Sequence, residues 1–185
     1  MGKWGFRIAN GLVHGSFWFT CLLLIVFWKR IPDEIVTHFN GAGVADGWGG
    51  RGSLILILFV MAYVYVMHLI CMRAIPHFAT REKMYGKKLA AFLTEEDFAA
   101  GILMTMAYLA WTEASLLLML DYVIICSAVS RPLGGWFVWV LFSVIGGELV
   151  WYFACYFKRK RTIKNRALME ISNREDEVEK MPDDM

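Results

Sequence analysis

The sequence predicts an all-α fold: a polytopic integral membrane protein whose four transmembrane helices form a bundle, with a folded loop between the first two. Of its 185 residues 58% are hydrophobic, whereas soluble domains contain about 45–50%. The apolar residues fall into four blocks separated by charged or glycine-rich stretches. Each block has at least about 20 residues, the number that a helix rising 1.5 Å per residue needs to cross a bilayer core of about 30 Å.

The four predicted spans and their connections form a single domain, residues 1–157, followed by a tail, residues 158–185. The spans run over residues 8–28, 53–75, 101–129 and 136–157. Lys3 and Arg7 would suit the n-region of a signal peptide, but the apolar block behind them is too long and ends without a small-x-small cleavage site. We therefore expect the first block to be a retained helix.

Positive charge predicts the orientation of the helices in a plasma membrane, because cytoplasmic segments are enriched in Lys and Arg. With the N-terminus in the cytoplasm, 15 of the 19 Lys and Arg residues fall on the cytoplasmic side. The four others are Lys29, Arg30, Arg51 and Arg131. We therefore expect both termini to be cytoplasmic and residues 29–52 to be extracytoplasmic.

The connections predict where the helices begin and end. Thr94 followed by Glu95, Glu96 and Asp97 is typical of a helix N-cap and an acidic first turn. The Pro- and Gly-containing residues 130–135 predict a tight connection between the third and fourth spans. The tail begins with four basic residues, 158–161, which anionic headgroups would attract. It ends in an acidic stretch that we expect to be flexible and that offers a site for a cytoplasmic partner.

The 24-residue loop of residues 29–52 is the most distinctive segment. It contains six glycines and the turn-forming pairs Asn40-Gly41 and Asp46-Gly47, which tolerate positive φ. This composition predicts that most of the loop is neither helix nor long strand. Four isolated apolar residues indicate that the loop is folded and docks on the membrane face: Ile31, Ile35, Phe39 and Trp48.

The loop contains, in order, Ile31-Pro32, Ile35, His38-Phe39-Asn40, Gly43 and Asp46-Gly47-Trp48-Gly49. The order and spacing of these residues resemble the signature of the SdpI-type membrane proteins, whose shared domain has no known function. The resemblance covers residues 8–75 at most.

This resemblance implies a bacterial plasma-membrane protein that gives immunity to a secreted toxin or peptide. It implies that the partner-binding residues are Pro32, His38, Asn40, Gly43, Asp46, Gly47 and Trp48. The second half of the chain lacks the Arg- and Gly-containing pattern of a full immunity protein.

Two groups of polar residues have chemistry beyond turn formation. His38 and Asp46 could share a divalent cation or hydrogen-bond a ligand, or they could hold the loop together. Inside the predicted spans lie His14, His68, Glu113, Asp121 and Glu148. Ionisable groups in hydrocarbon are costly and often functional. Counted along the helices, four of them lie at similar depth, which is compatible with a proton relay, a cation site or a structural hydrogen-bond network.

Three functions remain open on these observations. The first is a binding and protection module, the second a small proton- or cation-coupled transporter, which in so narrow a bundle would need a homo-oligomer, and the third an enzyme at the outer surface. Two polar groups do not make a catalytic constellation, so we expect a non-enzymatic protein. No phosphate-binding loop or dinucleotide-binding fingerprint occurs in the sequence, so no cofactor and no nucleic-acid partner is expected.

Overall fold

The computed structural model describes residues 3–179 of the chain. Within that range four helices are long and apolar enough to cross a membrane, as the sequence predicts. The elements are α1 (Lys3–Phe27), β1 (Glu34–Phe39), β2 (Ala45–Gly50), α2 (Ser53–Phe78), α3 (Arg81–Tyr85), α4 (Lys87–Ala90), α5 (Glu95–Ala128) and α6 (Phe137–Glu179). A short 3₁₀ turn, Trp28–Arg30, extends α1.

Helix α5 is the central element of the bundle, because it packs against α1, α2 and α6. It presents a row of small buried residues that includes Gly101, Ala107, Ala110 and Ala114. Small residues let helix backbones approach closely in a membrane, where no hydrophobic force drives helices together. The buried residues of α1 recur every three or four positions, which is the spacing of one helix face: Ala9, Val13, Ser16, Thr20 and Leu24.

The main apolar core lies between α1, α2 and α5 and extends to the base of the loop between α1 and α2. Val13, Met61 and Leu117 are completely buried in its centre. Towards one end of the bundle, Ile31 and Ile35 join the same core beside Leu54 and Ile124. The many exposed apolar side chains on the outer faces of these helices are compatible with a lipid environment.

The start of α5 confirms the predicted helix cap. The hydroxyl of Thr94 accepts a hydrogen bond from the backbone N–H of Asp97 at 3.1 Å, and Glu95, Glu96 and Asp97 occupy the first turn. At its other end, α5 is followed by Ser130 and Gly134, both with positive φ. These two residues turn the chain back into α6, as the breaker at residues 130–135 predicts.

Helix α6 does not end where its apolar stretch ends. It continues from Phe137 to Glu179 without interruption, because no Gly or Pro occurs between Gly147 and Pro182. The acidic stretch that the sequence indicates to be flexible is therefore helical as far as Glu179, and its last residues, 180–185, lie outside the described range. Beyond the apolar part, Ile163 packs with Tyr85 and Leu93 of the short helical segment between α2 and α5.

The loop between α1 and α2 is a β-hairpin, so the chain is not purely α-helical. Strands β1 and β2 are antiparallel and each has six residues. The prediction that most of the loop is neither helix nor long strand did not include this pairing, in which the two strands take up 12 of the 24 loop residues. β1 contains the β-branched run Ile35-Val36-Thr37, which favours a strand. In β2, glycines occupy positions where a side chain would collide with β1. The glycines of this segment therefore allow close pairing of the strands and do not indicate irregular structure.

Candidate functional site

The two strands of the hairpin can approach each other closely because glycines of β2 leave room for the side chains of β1. His38 faces Gly47 and Val36 faces Trp48 across the pair. A Cβ on Gly47 would come within 2.9 Å of the Cβ of His38, so a larger residue would push the strands apart. The register shifts on either side of His38, a β-bulge of the kind that redirects a side chain.

The turn of the hairpin is held by Asn40 and Gly43. The side-chain oxygen of Asn40 accepts hydrogen bonds from the backbone N–H of Ala42 at 2.9 Å and of Val44 at 3.1 Å. The backbone N–H of Gly43 donates to the carbonyl of Asn40 at 2.8 Å. Asn40 is therefore the residue that closes the turn, as its side chain mimics a backbone group.

Gly43 also joins the hairpin to the rest of the protein. Its φ is +73°, and its carbonyl accepts a hydrogen bond from the backbone N–H of Leu133 at 2.9 Å. A Cβ at this position would lie 2.4 Å from the carbonyl oxygen of Gly134. The tip of the hairpin thus rests on the loop between α5 and α6, at a distance only glycine allows.

The base of the hairpin is fixed by core residues and by Arg51. Ile31, Ile35 and Val36 are buried. The Arg51 guanidinium donates to the carbonyl of Ile31 at 3.2 Å and pairs with Asp33 at 3.2 Å. It also lies over the Trp28 ring, 5.4 Å from the ring centroid. The hairpin is therefore attached to the bundle at both ends.

Phe39 packs against Cys126, Leu133 and Phe137, as its predicted role as an apolar anchor requires, whereas four other residues of the loop pattern are exposed. Pro32 is exposed, the His38 and Asp46 side chains are 70% and 42% exposed, and Trp48 is 57% exposed. Trp48 therefore does not join the buried core with Ile31 and Ile35, and its docking on the membrane face stays a prediction.

His38 and Asp46 contact each other directly, with 2.5 Å between Nδ1 and the carboxylate Oδ1. This pair could supply two ligands to a cation. Within residues 3–179 no group of three or more His, Cys, Asp or Glu side chains is arranged to hold a metal. The geometry is that of an exposed hydrogen-bonded pair that leaves one side of each group facing solvent.

Inside the bundle, His68 and Glu113 form a buried pair. Nδ1 of His68 contacts the Glu113 carboxylate, and its Nε2 lies 2.9 Å from the side-chain oxygen of Asn10. The His14 ring lies 5.7 Å from the His68 ring, edge to face, and its Nδ1 contacts the Tyr65 hydroxyl at 2.9 Å. Residues of α1, α2 and α5 thus meet in one polar group, which we call the His68 cluster (Asn10, His14, Tyr65, His68 and Glu113).

Asp121 and Glu148 lie apart from the His68 cluster. The Asp121 carboxylate is buried between α5 and α1, where it accepts hydrogen bonds from the hydroxyls of Ser16, at 2.5 Å, and Thr20. Leu117, one turn from both Asp121 and Glu113, is completely buried in the apolar core. Glu113 and Asp121 are therefore about 12 Å apart along α5, with the apolar side chain of Leu117 between them.

Glu148 faces the cleft between α5 and α6. It accepts a hydrogen bond from the Ser115 hydroxyl at 2.7 Å, and its other oxygen is buried without a hydrogen-bond partner among residues 3–179. A cavity of about 360 Å³ that Trp111 and Trp151 also line lies beside it. The similar depth of Glu148 and Glu113 does not bring them together, because they lie on different sides of α5.

Sequence reasoning did not identify the partners of these ionisable groups. Asn10, Tyr65, Ser16 and Thr20 are common residue types, and nothing local distinguishes them from other polar residues of a membrane helix. The spacing of Ser16 and Thr20 at i and i+4, which places both on one helix face, was the available signal. The sequence marks Arg51 only as a positive charge of the loop, although its guanidinium holds the base of the hairpin.

The hairpin and the helix ends beside it match a known family model. The model of a family described as a domain of unknown function (DUF1648) matches residues 16–62, about a quarter of the chain. The matched segment contains the second half of α1, the whole hairpin and the start of α2, which is consistent with an SdpI-type loop domain. No curated protein and no solved structure matches the chain.

Proposed function

We propose that this protein binds an extracytoplasmic, membrane-active peptide or toxin through the exposed side of its hairpin and so protects the cell that carries it. The observation that carries the proposal is the division of the loop residues into two sets. One set, which includes Ile35, Asn40 and Gly43, builds the hairpin. The other, His38, Asp46 and Trp48, is exposed and has no role in holding the hairpin to the bundle.

A fixed hairpin suits recognition because a preorganised surface loses little conformational entropy when it binds. The tip is held by the hydrogen bond between Gly43 and Leu133. The base is held by buried Ile31 and Ile35 and by Arg51. A loop that served only to connect α1 and α2 would need none of these contacts, since two helices of a bundle can be joined by 2–8 residues.

The chemistry of the exposed side favours a peptide that is both apolar and basic. Trp48 and Val44 are 57% and 52% exposed, and tryptophan is among the residues that dominate binding energy at interfaces. Glu34 and Asp46 are exposed acidic groups on the same hairpin. Peptides that act on membranes combine an apolar face with Lys or Arg, so both types of group on the hairpin would find a counterpart.

Two further observations support an outer-surface role. The Lys and Arg distribution predicts that the hairpin faces away from the cytoplasm, the side from which a secreted peptide arrives. The loop resembles that of SdpI-type immunity proteins in the order and spacing of its residues, and the DUF1648 match covers this region.

The proposal is tested by deleting the gene and exposing the cells to membrane-active peptides. The first peptides to test are those secreted by the strain that carries the gene and by neighbouring bacteria. Wild-type protein should restore resistance, and Trp48→Ala and the double variant His38→Ala/Asp46→Ala should not. Trp139→Ala is the matched control, because Trp139 is an exposed tryptophan of α6 outside the hairpin. Equal resistance of the deletion strain and the wild type to every peptide would overturn the immunity proposal.

The His68 cluster favours a second candidate function, proton- or cation-coupled transport. The supporting observation is the buried pair of His68 and Glu113, whose histidine also contacts Asn10, so that three helices meet there. Such ionisable groups in a membrane often mark an ion path. The apolar side chain of Leu117 opposes a continuous path in this conformation. Proton flux into liposomes distinguishes the candidates: transport predicts flux that Glu113→Gln abolishes and Glu148→Gln leaves intact.

A further inference from the structure

The end of the bundle opposite the hairpin contains a polar cavity that the proposed function does not use. It has a volume of about 380 Å³ and lies between α5 and α6. Its polar lining comes from Asp97, Lys158, Arg159 and Thr162. Leu103 and Met104 form apolar walls on the side towards the middle of the bundle. We call it the α5–α6 cavity.

The charges at this cavity do not balance. Among residues 3–179, Asp97 is the one carboxylate in its lining, and it already has two arginine partners. Arg166 Nη1 lies 2.6 Å from one carboxylate oxygen, and Arg159 Nη2 lies 3.5 Å from the other. Lys158 and Arg159 of the lining, together with Arg166 beside it, give the described part of the site three cationic side chains and one anionic side chain, a net charge of +2 when all four are ionised. An excess of positive charge in a partly enclosed site attracts an anion.

One hydrogen-bond donor at the site is also unused. The Nε–H of Arg159 is buried and has no hydrogen-bond partner among residues 3–179. A buried donor of this kind is normally satisfied, so an acceptor from outside the protein would complete the site.

The position of the cavity identifies the source of the anion. Lys158 and Arg159 directly follow the apolar stretch 137–157 of α6, which is about 31 Å long at 1.5 Å per residue. That length equals the hydrocarbon thickness of a bilayer, so the two cationic groups lie at the level of the lipid phosphates. The apolar walls at Leu103 and Met104 would face the start of the acyl chains.

We propose that the α5–α6 cavity binds the phosphate group of an anionic phospholipid. The guanidinium of Arg159 and the ammonium of Lys158 would hold the phosphate oxygens, and Thr162 would line the entrance. Arginine suits this role because its planar donors match phosphate geometry. A bound lipid would then add a further contact between α5 and α6.

The test measures lipids retained by the full-length protein, using native mass spectrometry after incubation with phosphatidylglycerol and phosphatidylcholine of identical acyl chains. The wild type should retain phosphatidylglycerol preferentially. Lys158→Gln/Arg159→Gln should reduce that preference about tenfold or more, since each basic group near a membrane surface contributes about 1 kcal/mol. The matched control is Arg161→Gln/Lys164→Gln, which removes two charges from exposed positions on the same helix and should keep the preference.

Three results would overturn the proposal. An equal loss in both double variants would mean that general surface charge attracts the lipid. Displacement of phosphatidylglycerol by inorganic phosphate at equal concentration would mean that the site takes a free anion. Ala100→Phe fills the cavity and leaves Lys158, Arg159 and Asp97 unchanged, so an undiminished lipid preference in that variant would place the lipid elsewhere.

Discussion

Replacing Gly43 by alanine tests whether the hairpin is fixed to the bundle through its tip. Alanine at φ +73° costs about 1–2 kcal/mol. Its Cβ would lie 2.4 Å from the Gly134 carbonyl oxygen, so the tip must move and the hydrogen bond from Leu133 is lost, which costs about 1 kcal/mol more. We expect the docked state of the hairpin to lose about 2–3 kcal/mol in total.

Hydrogen exchange of the full-length protein in detergent micelles measures this loss directly. A loss of 2–3 kcal/mol corresponds to exchange about 30- to 150-fold faster for the backbone amides that docking protects, first of all that of Leu133. Gly41→Ala is the matched control, because Gly41 belongs to the same turn and has nothing within 4 Å of the new Cβ. If the Leu133 amide exchanged at the same rate in the Gly43→Ala and Gly41→Ala variants, the tip of the hairpin would not be held by Gly43.

Three further predictions concern the buried carboxylates and the orientation. Glu113→Leu should lower the free energy of unfolding by about 1–3 kcal/mol because buried His68 loses its partner, and Glu113→Gln should lower it less; equal thermal unfolding of both variants would contradict this. Asp121→Leu should destabilise the contact of α1 with α5 in the same assay, since the Thr20 hydroxyl is left without its acceptor, and Asp121→Asn should restore most of the loss. In a cysteine-free background, Ala45→Cys should react with a membrane-impermeant thiol reagent in intact cells; reaction only after permeabilisation would reverse the proposed topology.

The long helices were predictable because their signal is local. A block of about 20 apolar residues crosses a membrane as a helix, because a helix satisfies all backbone hydrogen bonds within the segment. The second span shows how well this works: residues 53–75 were predicted and α2 covers Ser53–Phe78. The cap at Thr94 was equally readable, since the hydroxyl and the amide that it accepts from are three residues apart.

The hairpin was harder because its strands depend on distant contacts. Glycine has low strand propensity, so the Gly-rich β2 segment reads as irregular. It becomes a strand because it pairs with β1 and because Gly43 meets Gly134, about 90 residues further along the chain. No local pattern contains that contact.

The contacts of the polar residues in the spans were only partly predictable. Counting along the helices predicted the depth of His68 and Glu113, which the structure brings into contact. Depth says nothing about the direction in which a side chain points around its helix. Glu148 therefore matched the others in depth and yet lies in a separate cleft with Ser115.

The uninterrupted course of α6 joins its apolar part rigidly to the polar segment that follows. Residues 158–179 extend about 33 Å beyond the apolar part of the helix, and within the described residues this segment has no Gly or Pro at which it could bend. A change of 10° in the tilt of the membrane part, well within the range that such helices adopt, would move the far end by about 6 Å. Because Ile163 of α6 packs with Tyr85 and Leu93, such a tilt would also displace the segment between α2 and α5.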